Sequence, residues 1–98
     1  MESEISAAEL SQSLSSFFLI DLMSKEDFAG NHIPGAVNIP IDELENRVFE
    51  IPKDKNIVVA YRKGLMKSDM ALEHLSKLGF SNVKKLTRGT TNWFDSLK

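Results

Sequence analysis

Apolar and polar positions follow two periods along this chain, and the switches between them mark its elements. Ser6-Ala7-Ala8-Glu9 sets a serine three residues before a glutamate, the reciprocal pair that satisfies the first free N–H groups of a helix. Ala7, Leu10 and Leu14 then recur at helical spacing and predict a short helix with one buried face. Ile5, just ahead of it, ends a short strand or staples the helix start. Phe17 to Ile20 is an unbroken apolar run between serines and Asp21, the pattern of a strand covered on both faces, which favours a parallel sheet. Ser24-Lys25-Glu26-Asp27 is a second cap, and Phe28 to Asn31 predicts a helix of two turns that stops at once. Ile33-Pro34-Gly35 reads as a turn, and Ala36 to Ile39 as a brief extended segment ended by Pro40. Over residues 41 to 51, Ile41, Leu44 and Val48 fall on one side and Asp42, Glu43, Glu45 and Arg47 on the other, which predicts an amphipathic helix whose acids form a solvated face.

After the polar turn at Pro52 to Asn56, Ile57 to Ala60 predicts a strand, and Met70, Ala71, His74, Leu75 and Leu78 predict a helix ended by Gly79. Val83 to Leu86 is a further short strand, and Thr90 is placed to cap a last helix carrying Trp93 and Leu97. Strand and helix signals therefore alternate, the rhythm of an α/β sheet wound by right-handed crossovers, with ligand sites beyond the carboxyl ends of its strands. Asp21 and Tyr61 both fall at such ends and are expected to line one crevice.

Composition narrows the functions open to such a sheet. A chain of 98 residues holds one domain with one core, about residues 5 to 97. Its net charge of −2 argues against general affinity for nucleic acid or an anionic membrane, so any anion binding is local. There is no cysteine, which excludes disulfides, thiolate metal sites and thiol catalysis. The acidic start, Met1-Glu2-Ser3-Glu4, is no signal peptide, and no run reaches the length of a membrane span; a soluble, cytoplasmic protein is expected.

The stretch Tyr61 to Ser68 stands out because a strand that turns into a helix N-terminus leaves backbone N–H groups free in the loop. Here the loop adds Arg62, Lys63 and Lys67, with no acid before Asp69. Arg62, Lys63, Gly64, Leu65, Met66, Lys67 and Ser68 are therefore candidates to hold a small anion such as thiosulfate, sulfate or phosphate, or an anionic group of a protein partner. The plainer reading is a connector with its cations in water. Asp21 is either a functional carboxylate or an acceptor of loop N–H bonds. His32 and His74 each lack a second ligand at metal spacing and are read as structural; no metal or cofactor is expected. Trp93 and Phe94 read as a lid on the core.

Leu19-Ile20-Asp21, then Glu26-Asp27-Phe28, then the block from His32 to Pro40, then Val58-Val59, then Leu78-Gly79-Phe80 with Asn82-Val83, and finally Gly89 and Trp93 resemble the rhodanese homology domain in order and spacing. The resemblance implies a five-stranded parallel sheet flanked by helices on both faces. It also implies an active-site loop between the strand at 57–60 and a helix from about residue 68. In that family a Cys opening the loop carries a persulfide and donates sulfur. Aligning the loop glycine on Gly64 puts Tyr61 at that position, whereas aligning the serine at the helix start on Ser68 puts Arg62 there. The loop is thus one residue longer than the common sulfurtransferase loop, a length that resembles the related dual-specificity phosphatases. The family's Asp-Val-Arg reads Asp21-Leu22-Met23, so its Arg is missing as well. The resemblance with these departures implies a catalytically inactive rhodanese-like domain that acts as a binding or regulatory module. The alternatives are an enzyme handling a phosphate or sulfur oxyanion with Asp21 or Tyr61 as acid or base, and a structural self-association domain.

Overall fold

The computed structural model describes residues 4–62 and 66–95, the side chains of Met66 and Asn92 excepted. Among these residues, β1 (Glu4–Ile5), β2 (Phe17–Asp21), β3 (Val37–Asn38), β4 (Asn56–Ala60) and β5 (Val83–Leu86) form one sheet in the order β1-β5-β4-β2-β3. Every pairing is parallel. The centre is the β2–β4 pair, whose register runs from Phe17 opposite Asn56 to Asp21 opposite Ala60.

Side chains alternate across a strand, and here both alternating sets are buried. Ile20, Ile57 and Val59 face a cluster closed by Ala71, Leu75, Phe80, Leu44 and Ile51. Leu19, Val58, Ala60 and Leu86 face the other, closed by Ala7, Leu10, Ile33 and Trp93. The helices α1 (Ala7–Gln12), α3 (Met66–Lys77) and α4 (Gly89–Asp95) supply these covers, and α2 (Lys25–Gly30) leads away from the end of β2. The two-sided sheet expected from the apolar runs is present.

Both caps form: the Ser6 hydroxyl accepts from the Glu9 N–H while the Glu9 carboxylate accepts from the Ser6 N–H, and Ser24 accepts from the Asp27 N–H. These bonds to Ser6 hold the exposed Glu9 carboxyl below its ordinary pKa. Ile5 belongs to a strand.

Three expectations are corrected. Residues 41 to 51 form no α-helix; tight turns of the 3-10 type at Ile41–Glu43 and Val48–Glu50 flank an irregular link. The segment is short, and a helix of that length depends on tertiary contacts, so helical propensity yields to packing. Leu44 and Ile51 are buried, and Arg47 fastens the turns by donating to Glu43 (3.1 Å) and to both oxygens of Glu50 (2.8 and 3.0 Å). Helix α3 begins at Met66, so Ser68 lies inside it on the face shared with Ala71 and Leu75, and Leu78 falls beyond its end, 37% exposed. Helix α4 begins at Gly89, which puts Thr90 within the helix and not at its cap. Leu97 lies outside the described residues.

Candidate functional site

The carboxyl ends of β2 and β4 meet where the Leu22 N–H donates to the Ala60 carbonyl (2.9 Å), and the chain leaving β4 there becomes Tyr61 and Arg62. Helix α4 fixes these two residues. The N–H groups of its first turn have no partner within the helix, and those of Thr90 and Thr91 donate instead to the carbonyls of Tyr61 (2.7 Å) and Arg62 (2.8 Å). Gly89 permits the approach: its φ is +70°, and a Cβ there would stand 2.0 Å from the Tyr61 oxygen.

Asp21, at the end of β2, is 1% exposed. Its Oδ1 accepts from the Met23 N–H (2.9 Å), and Oδ2 has no hydrogen-bond partner among the described residues. Burial pushes its pKa up, opposed by the Met23 bond. The Asn38 amide donates to the carbonyls of Asp21 (3.1 Å) and Met23 (2.9 Å), and the Thr90 hydroxyl contacts the Met23 sulfur at 3.8 Å. Leu22 and Met23, the second of which stands where the missing Arg is expected, are core residues.

The sequence-predicted site residues are brought together only in part. Tyr61 is half-buried and lines a hollow of about 330 Å³ with Leu22, Ser24, Pro40, Ile41 and Asp42, whereas Asp21 lies outside that lining. The exposed guanidinium of Arg62 pairs with Asp27 of α2 at 2.9 Å. Lys67 is exposed, and Ser68 is buried with an Oγ that has no partner among the described residues. Lys63, Gly64, Leu65 and the Met66 side chain lie outside the described residues.

A second hollow, about 300 Å³, adjoins the first through Ile41 and Asp42 and is lined also by Glu45, Met70 and His74. It went unforeseen because its acids read as a plain solvated face. The signal available was Met70, a large apolar residue off the helix's buried stripe; it is 53% exposed. His32 stacks on Phe28 at 3.8 Å, with its Nδ1 2.7 Å from the Phe28 carbonyl. Trp93 is buried and Phe94 half-buried against the core. Among the described residues no group of three or more His, Asp or Glu is placed to hold a metal ion, and no helix is long and apolar enough to cross a membrane. Larger hollows lie near the opposite ends of the strands, around Phe17, and are lined by apolar side chains, serines and asparagines with no acid.

The family model described as Rhodanese-like domain matches residues 6–96. A sulfurtransferase of Allochromatium vinosum is 32% identical over 96 residues, covering 95% of this chain and 89% of that protein. The adenylyltransferase and sulfurtransferase uba4 of Ogataea parapolymorpha is 32% identical over 77 residues, and the match spans 78% of this chain but only 20% of that longer relative. Among solved structures, a rhodanese-related protein from Thermoplasma volcanium superposes with a TM-score of 0.88 at 28% identity, covering 98% of this chain and 93% of the other.

Proposed function

This chain belongs to the rhodanese-like family, and from that membership we propose a non-catalytic role, in which the domain works by binding and transfers no sulfur. The observation that carries the reading is the absence of any cysteine from the whole sequence. Sulfur transfer of the family's kind needs a thiolate to attack sulfane sulfur and carry it as a persulfide. The hydroxyl of Tyr61 and the guanidinium of Arg62 do neither. The apolar Leu22-Met23 pair, buried where the family has an Arg, supports the same reading. So does the backbone anchoring of Tyr61 and Arg62 to α4, which maintains a site framework without its nucleophile.

The partner is better sought in the crevice beside Tyr61 than in an anion at Arg62 to Ser68. Arg62 pairs with Asp27, and the exposed Lys67 is the remaining described cation of that stretch.

A thiosulfate-to-cyanide assay tests the proposal, with no rate above buffer expected from the purified chain. Turnover by that protein would overturn it. Because Tyr61 directly follows β4 and lines the crevice while Arg62 points to α2, Tyr61→Cys is expected to gain the mass of one sulfur on incubation with thiosulfate, releasing sulfite. Arg62→Cys is expected to gain none.

A further inference from the structure

Resting on that non-catalytic reading, we infer that the groove running from Tyr61 to His74 docks a basic segment of a partner protein. The two hollows, about 330 and 300 Å³, meet at Ile41 and Asp42, which line both. The floor of the groove is apolar: Ile41, Tyr61 and the exposed Met70. Its rim is acidic. Asp42 and Glu45 are exposed and have no ion pair among the described residues, Glu26 closes one end, and Lys25 is the one described lysine or arginine lining it; Glu43 is taken up by Arg47.

The occupant follows from this pairing of wall and rim. Carboxylates around a low-dielectric cleft focus negative potential and draw in cations. Lysine and arginine stems lie along apolar surface while their heads remain at the charged edge, and the unbranched Met70 thioether adapts to such stems.

A random dodecapeptide library displayed on phage, panned against the full chain, tests the inference. The enriched peptides are expected to carry lysine or arginine beside a large apolar residue. The most enriched one, synthesised, is expected to shift the amide signals of Ile41, Asp42, Tyr61, Met70 and His74, and to bind more weakly as salt rises. The double variant Asp42→Lys, Glu45→Lys changes only exposed side chains and should weaken that peptide about tenfold without altering the far-ultraviolet spectrum. No enrichment, neutral or acidic peptides, binding unaffected by the double variant, or self-association seen by light scattering with the groove as its interface would each overturn the inference. Sulfur turnover in the earlier assay would instead overturn the reading beneath it.

Discussion

At the scale of single residues, two groups that touch no ligand decide the state of the site. Gly89 is the first: at φ +70°, its Cα hydrogen points where a methyl would overlap the Tyr61 and Arg62 carbonyls. Gly89→Ala is expected to destabilise the fold by about 3 kcal/mol or more, since left-handed strain and a backbone clash add. Thermal unfolding reads the loss. Asp21 is the second. Its pKa is raised in the folded state by burial, so between its unfolded value of about 4 and that higher value the folded chain binds more protons than the unfolded one. The associated stability is fully present below the unfolded value and is lost as pH rises through the folded one. Asp21→Asn keeps an oxygen for the Met23 N–H and does not titrate. Relative to the parent, it should therefore gain stability as pH rises from about 4 through the raised folded-state pKa of Asp21 and stay level beyond it, measured by denaturant unfolding; a flat difference throughout would mean that the carboxylate is not desolvated.

At the scale of elements, the segment from Ile41 to Ile51 shows what pattern reading captures and what it misses. Its apolar positions were legible, because Leu44 is buried and Ile41 and Val48 pack half-buried against the same cluster. Its helical form was not, because a stretch this short takes its backbone from tertiary contacts; the Ile41 N–H donates to Leu22 and Arg47 grips both turns. Leu44→Ala is accordingly expected to cost about 2–4 kcal/mol, as a core residue does whatever backbone carries it, and a loss near zero in urea titration would count against the packing described. The strands were legible for the opposite reason, since the apolar runs at 17–20 and 57–60 carry enough β-branched and aromatic side chains to declare themselves. The site was legible only as a place. Strand ends pointed to Asp21 and Tyr61, and the local bond from the Met23 N–H to Asp21 is the loop acceptance expected of it, but the capture of Arg62 by Asp27 and the assembly of Asp42, Glu45 and Met70 into a groove depend on residues far apart in sequence.

At the scale of the whole molecule, the order β1-β5-β4-β2-β3 places the last strand between the first and the centre of the sheet. Glu4 and Ile5 find their partners at Lys85 and Leu86, nearly a full chain away. Such pairings have high contact order and slow the search for the native state. Until Val83 to Leu86 has been synthesised, β4 lacks its partner on that edge of the sheet. β1 waits unpaired for the same event, and the Thr90 and Thr91 donors that anchor Tyr61 and Arg62 arrive later still. The anchoring of Tyr61, which lines the crevice, thus follows the last strand in chain order, and a partner that recognises the anchored crevice reads out a chain whose sheet is already closed.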